Sequence, residues 1–524
     1  MAQLALREHA AAAALGSVQL AAEHTALWAD LYRAGIDVTP ASPEDEVRAM
    51  DVATHANSSL YFLYSSIRDD WFPGVSPGGA STQNYQGAVF MDMDFWMAPS
   101  LYLLSPKLAE ALLEYRFLSL NASFDIARIF GYAGSMHAWT AAYQGRPFGC
   151  CAGVGGYEDC LEQHVTGDIA FAAWQYYLAT RDKAWLLARG WPLLSHIADF
   201  FMSRVYPAPS AGYKGKYSIK GVLPVDEWCV DSGCGCESPG VDDDAQMNGV
   251  AKASLIAASK AAVILGRASK VTSLWGAVGN QIALLFNASG GGHHDQVNSS
   301  TCPDGWGGTH YKPSHTVCPE DVLLLSYPLG SILNITSEVT RTDAELFIPL
   351  TCLENAGMTT PMHTIVWLSL DEPVLAQAEF NRSMHAACYG PFNVRNEVDK
   401  HPDIIGGHFD NSHFLTGDGV YLQALMNGFG GLRIVEAGIS LLRPSLPASV
   451  GRMRLRGLAW LGLAVEFQIT AVQILINVSG TPSFCVRDAL GDNQLYRLAA
   501  AIDVATFVFP GLLHVCAGTP TGSI

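Results

Sequence analysis

Residues 101–115 read Leu-Tyr-Leu-Leu-Ser-Pro-Lys-Leu-Ala-Glu-Ala-Leu-Leu-Glu-Tyr. Leu101, Leu104, Leu108, Leu112 and Tyr115 recur every three or four residues, the spacing that lines one face of an α-helix. The same period returns at Leu193, Ile197, Phe200 and Phe201 and predicts further helices over 168–180, 247–266, 272–286, 321–332, 362–370, 376–385 and 418–428. A helix with one apolar face cannot bury that face alone. About a dozen of them in antiparallel pairs predict a bundle or an (α/α) barrel. The connections over 69–91, 141–162, 206–248 and 290–319 exceed the roughly 2–8 residues usual between bundle helices, which favours a barrel with its site on long loops at one end.

Beyond residue 445 the period changes to two. Met453 and Leu455 alternate with Arg452, Arg454 and Arg456, then Val465, Phe467 and Ile469 with Glu466 and Gln468; Val472, Ile474 and Ile476 follow. The expected organisation is a helical linker over 1–55, the barrel over 56–445 and a small antiparallel β domain over 446–524. The linker reads as two helices joined at Pro40–Pro43, without a core of its own.

The 524 residues are 49% hydrophobic and 15% charged, which excludes a disordered chain. Lys and Arg against Asp and Glu give 31 − 49 = −18, which opposes partners held by phosphates, so neither nucleic acid nor an anionic membrane is expected. The longest apolar stretch, 504–516, is broken by Pro510 and His514 and falls short of the ~20 residues of a membrane helix. Met1–His24 lacks the form of a signal peptide. Acceptor sequons at Asn57, Asn121, Asn287, Asn298, Asn334, Asn381 and Asn477 exceed the about two expected by chance, however. They favour a secretory or vacuolar protein whose true start lies upstream; a cytoplasmic protein is expected if Met1 is the start.

Cys302 and Cys318 bracket a loop as a disulfide would, and Cys229, Cys234 and Cys236 cluster. The cluster has no nearby His and an unusual spacing for zinc, so structural or disulfide cysteines are expected. His293-His294 lacks a matching carboxylate and reads as exposed loop. No metal and no cofactor is expected, and neither a nucleotide-binding glycine motif nor a nucleophile elbow occurs.

Three acidic segments stand beside aromatic residues on apparent loops: 90–96 with Asp92, Asp94 and Trp96; 224–228 with Asp226, Glu227 and Trp228; and 390–397 with Glu397. An acid next to Trp and away from basic partners stays protonated near neutrality, and two carboxyl groups flanking a sugar are what glycosidic cleavage requires. The plain alternative is solvated acids or helix caps. Asp242-Asp243-Asp244 reads that way, capping the helix near Met247.

The order of motifs is specific. Gly78-Gly79, Tyr85, Gly87 through Met97, Leu112 through Arg116, Trp139, Glu162-Gln163-His164-Val165, Asp168, Trp174 through Tyr177, Asp226-Glu227, Asn248, Asp321-Val322, Tyr327-Pro328-Leu329 and Phe414-Leu415-Thr416-Gly417 together resemble glycoside hydrolase family 65. The resemblance implies an (α/α)6 barrel with a C-terminal β-sandwich, the family's N-terminal β-sandwich being largely missing. It implies inverting hydrolysis of a terminal α-glucosidic bond in a disaccharide or a glucosylgalactosyl-hydroxylysine-type glycoside. By the same resemblance Glu227 is the general acid and Glu397 the water-activating base, while Met91, Asp92, Trp139 and Trp96 bind the sugar. Phosphorolysis and non-catalytic sugar binding are the alternatives. Met91 stands where the family has Trp, Ala88 where it has His, Thr140 where it has Glu, and Cys318-Pro319 where it has Lys-Gln; each lost contact weakens sugar binding by about 1–3 kcal/mol.

Overall fold

The computed structural model describes residues 2–71, 73–82, 85–147, 161–207, 216–225, 241–287, 292–293, 297–298, 321–351, 357–385, 388–397, 413–479, 484–488, 496–498, 503–508 and 513–517. The described chain is mainly helical, with small antiparallel sheets. The 101–115 pattern forms two helices rather than one, Ala98–Leu104 and Pro106–Leu118. Pro106 lacks the N–H that would continue the first helix, and sits in the first turn of the second, where none is needed. Leu101, Leu104, Leu108, Leu112 and Tyr115 are all buried, so the expected face survives the break.

Other boundaries moved for equally local reasons. The helix expected over 272–286 runs from Lys270 to Gly279, opened by a reciprocal Ser269–Thr272 capping box and closed at Asn280. The pattern over 321–332 splits into Asp321–Leu324 and Gly330–Leu333, because Pro328 cannot occupy a helix interior. Asp244 caps the helix Ala245–Ile264 by accepting from Met247 N at 2.6 Å, the role its position predicts.

The long helix Ala245–Ile264 packs against Lys270–Gly279, His164–Thr180 and Trp191–Arg204, and Thr359–Ser369 packs against Pro373–His385. Leu415–Gln423 returns from the far end of the helical region to lie on Glu46–Ser66. It also meets the π-helical turn Met93–Met97, where a Cβ added to Gly419 would stand 2.4 Å from the Trp96 carbonyl oxygen. Backbone offers no flexible end to move aside. Gly419→Ala is therefore expected to cost about 1–3 kcal/mol of stability, read as a lower urea midpoint at unchanged m-value; an unchanged midpoint counts against this contact.

Two five-stranded antiparallel sheets follow. One is ordered Gly35–Pro40, Val450–Trp460, Leu463–Thr470, Gln473–Ser479, Asp503–Val508; the other Leu432–Val435, Gly438–Leu441, Leu513–Ala517, Phe484–Asp488, Tyr496–Leu498. The period-two reading holds: Met453, Leu455, Val465, Phe467, Ile469, Ile474 and Ile476 are buried. A register shift between Leu455 and Leu458, where Gly457 takes φ +66°, moves burial to Leu458 and Trp460. Val472 lies in the turn before Gln473 and is exposed, against expectation.

The segment 1–55 is not purely helical. Ala2–Leu31 is helical with a break at Gly16, but Gly35–Pro40 is a strand antiparallel to Val450–Trp460. Ile36 is buried there, and Asp37 accepts from Arg456 Nε at 3.0 Å. Strand pairing with a partner about 400 residues away has no local signature. The following helix, Glu46–Ser66, runs through the expected boundary at residue 55.

Candidate active site

The acidic segment 90–96 is expected as loop, yet from Asp92 onward it is helical. Met93–Met97 forms a π-helical turn that continues into Ala98–Leu104, and Asp94, Phe95 and Trp96 are all buried in it. Trp96 has 0% of its surface exposed and packs edge-on against Phe95 at 6.0 Å. A ring with no accessible surface cannot stack on a sugar, so Trp96 is a core residue. Met91 is 5% exposed, and it too packs into the core.

Asp94 is neither a solvated acid nor a cap. Arg116 from Pro106–Leu118 binds it through Nη2 to Oδ2 at 2.5 Å and Nε to Oδ2 at 3.1 Å. Both side chains are buried, and Arg116 Nη2 also donates to the Phe90 carbonyl at 2.8 Å. Burial raises the Asp94 pKa to about 6, against the opposing pull of Arg116. The pair fixes the start of the turn and with it the direction of Asp92. A β-bridge between Val89 and Ala141 ties the same stretch to the segment carrying Trp139, whose half-buried ring meets Phe90 edge-on at 5.2 Å.

Two contacts join this segment to chain more than 300 residues away. Thr416 Oγ1, in the helix Leu415–Gln423, donates to Asp92 Oδ2 at 2.6 Å. Tyr85 donates its hydroxyl to Glu397 Oε2 at 3.0 Å, and its ring stacks on Phe414 at 6.1 Å. Burial is the main cause raising the Asp92 pKa to about 6; the Thr416 bond opposes it, and the Glu397 carboxylate adds to it. Asp92 therefore lies near enough to Glu397 to feel its charge. Burial, with Glu397 beside it, also pushes the Tyr85 phenol far up, so Tyr85 remains a donor.

The Asp92 pKa has a consequence for stability. Its folded value lies above the ordinary 3.8, so its contribution is fully present below pH 3.8 and is lost as pH rises through about 6. Asp92→Asn, which keeps an acceptor for Thr416, is expected to raise Tm by a few degrees at pH 7.5 and to leave it unchanged at pH 4. A pH-independent difference would contradict this burial.

Glu397 follows the hairpin Cys388–Tyr389/Val394–Arg395, not a plain loop. Arg395 holds the hairpin from behind: Nε donates to Asp418 at 3.2 Å, Nη1 to the Ser383 carbonyl at 2.6 Å, and the guanidinium lies 4.3 Å from the Tyr421 ring centroid. Ser59 Oγ adds a bond to Asp418 at 2.9 Å. Gly357 N donates to the Glu397 carbonyl at 2.5 Å, which fixes the Glu397 backbone directly.

A second buried polar group lies next to Asp94. His164 Nδ1 is 2.7 Å from Asp168 and Nε2 is 3.2 Å from Glu162, and Gln246 donates to Asp168 at 3.1 Å. Burial disfavours a charged His164, but the two carboxylates outweigh it and raise its pKa to about 10. Electrostatic coupling of Asp168 to Asp94 and Arg116 links the two groups.

Glu227, with Asp226 and Trp228, lies outside the described residues, as do the cysteines at 229, 234, 236, 302 and 318. His294 does as well, while His293 stands on the two-residue strand Gly292–His293. The described structure puts the Glu397 carboxylate near Asp92, ties Trp139 to the same segment through Phe90, and leaves Trp96 and Met91 in the core. Tyr85, Arg116 and Thr416 belong to the recognised motifs, but their roles rest on partners remote in sequence. At the departures, Ala88 and Thr140 are buried and add no charged group.

A helical domain with carboxylates gathered where distant segments meet is the setting for comparison with known proteins. A solved human-microbiome protein carrying a kojibiose phosphorylase designation shares the fold, with TM-score 0.73 and 13% identity over 97% of this chain and 68% of that one. Residues 59–282 match the glycosyl hydrolase family 65 central catalytic domain. The chain is 31% identical to the protein-glucosylgalactosylhydroxylysine glucosidase of Dictyostelium discoideum over 85% of its own length and 56% of that protein. It is 33% identical to a kojibiose hydrolase of Flavobacterium johnsoniae, over 85% of its length and 59% of that protein. Residues 59–282 thus carry the match to the family 65 catalytic domain, and the chain is similar to family 65 glucosidases over most of its own length. It spans somewhat over half the length of these curated relatives.

Proposed function

We propose that this protein hydrolyses a terminal α-glucosidic bond with inversion, acting on a glucosylgalactosyl-hydroxylysine-type glycoside or a disaccharide such as kojibiose. The observation that carries the reading is the pair of oriented carboxylates, Glu397 under Tyr85 and Asp92 under Thr416, at one coupled site. The names of the two relatives supply the substrate classes.

In this mechanism Glu397 takes a proton from the attacking water, and Glu227 gives one to the departing glycosidic oxygen. Tyr85 donates to one oxygen of Glu397 and so orients the carboxylate. Ionised Asp92 accepts hydrogen bonds from glucose hydroxyls, and Trp139 supplies an apolar ring face. Inversion requires roughly 6.5–9.5 Å between the two catalytic carboxyl groups, so that water fits between Glu397 and the anomeric carbon. The helical part is read as an (α/α)6 barrel closed by Leu415–Gln423 against Glu46–Ser66. The β region after residue 445 then forms a separate part that also takes in the strand Gly35–Pro40.

The test is glucose release from kojibiose, trehalose and glucosylgalactosylhydroxylysine, with and without phosphate, following the anomer by NMR. β-Glucose appearing first, independently of phosphate, supports the proposal. Glucose 1-phosphate as product would establish phosphorolysis, and binding without cleavage would establish a sugar-binding protein.

A further inference from the structure

Asp51 and His55 stand four residues apart on the helix Glu46–Ser66 and share one of its faces. His385, the last residue of Pro373–His385, reaches the same place from another helix. His55 Nε2 lies 3.7 Å from Asp51 Oδ1, and His385 Nε2 lies 3.6 Å from Asp51 Oδ2. One ligand-type atom from each of the three side chains falls within 4.8 Å of the others, a convergence that no other trio matches among the described residues.

These separations are too long for hydrogen bonds. They are close to what a shared ion requires: two ligands about 2.0–2.1 Å from a tetrahedral zinc stand roughly 3.3 Å apart. The His55–Asp51 and His385–Asp51 separations, to the two oxygens of one carboxylate, exceed this by a few tenths of an ångström. We propose that Asp51, His55 and His385 bind one divalent transition-metal ion, zinc above all. Two imidazoles with one carboxylate suit zinc, copper or nickel, whereas magnesium and calcium take oxygen ligands.

The surroundings fit a three-ligand site with an open position. His55 is 3% exposed and anchors the inner side, while Asp51 at 39% and His385 at 63% face solvent, where water completes the tetrahedron. On its far side His55 Nδ1 meets Cys388 Sγ at 3.8 Å, so the ring that would bind metal through Nε2 is oriented from behind. Cys388 opens the hairpin that leads to Arg395 and Glu397. A bound ion would therefore clip two helices together beneath that hairpin, with a structural effect that does not depend on the proposed glucosidase reaction. Sequence reading missed the site because the third ligand is 330 residues from the second.

The experiment uses the full chain after chelator treatment, titrated with Co²⁺ and then Zn²⁺. Expected results are a visible absorption band of tetrahedral Co²⁺ saturating at one equivalent, its displacement by one equivalent of Zn²⁺, and a higher Tm with Zn²⁺. His385→Ala and Asp51→Asn should each weaken binding by roughly tenfold or more and remove the Tm response. Both positions are partly or well exposed, so the variants are expected to fold, and circular dichroism checks this. Absence of saturable binding in wild type overturns the proposal, as do unchanged affinity and Tm response in both variants, which would locate the metal at other histidines.

Discussion

Glu397→Gln is expected to lower kcat for glucoside hydrolysis by roughly 10²–10⁴-fold with little change in KM. The amide has nearly the shape of the carboxylate and can still accept from Tyr85, which donates at 3.0 Å. It cannot take a proton from water. The backbone that presents it is fixed by Gly357 N on the Glu397 carbonyl and by the Arg395–Asp418 pair, so the variant should fold with the same site geometry. Steady-state kinetics beside a thermal melt make the check: wild-type kcat at normal Tm would remove Glu397 from the mechanism. Tyr85→Phe provides a graded comparison, because it leaves Glu397 in place and removes only the hydroxyl that donates to it.

The second large effect concerns stability. Arg116→Met should cost about 3–5 kcal/mol, because it leaves Asp94 buried without its partner. Arg116 is 0% exposed and Asp94 1%, and the guanidinium bonds also to the Phe90 carbonyl. The Asp94 pKa is already near 6 with Arg116 beside it, and would rise further without it. A raised folded pKa means stability present below the unfolded value near 3.8 and lost as pH rises through the folded value, so the defect should be larger at pH 8 than at pH 4. Urea titrations at the two pH values measure it. The double variant Asp94→Asn/Arg116→Met should recover part of the loss, since it removes the unpaired charge; a single-variant loss below about 1 kcal/mol would rank the pair with surface ion pairs.

Local pattern carried much of what was legible. The apolar faces at 101–115 and 193–201 and the alternation from Met453 to Ile476 depend on neighbours within one or two turns or strand repeats, and most were found where expected. The acidic run 242–244 likewise announced a helix start. The errors share a cause as well. Pro106 and Pro328 divided helices that hydrophobic period alone had joined, and Asp94 and Trp96 looked like loop residues because their burial depends on Arg116 and Phe95 rather than on their own spacing.

The sequence by itself determined the helical and β regions, the family resemblance, and the candidate residues Asp92, Trp139 and Glu397, because periodicity and motif order are written locally along the chain. Only the tertiary structure decided which partners hold them. Tyr85 meets Glu397 across 312 residues, Thr416 meets Asp92 across 324, and Gly35–Pro40 enters a sheet with Val450–Trp460. A hydrogen bond's partner and a side chain's burial are properties of distance in space. Chain order constrains that distance only weakly once a helical region folds back on its own beginning, as Leu415–Gln423 does on Glu46–Ser66.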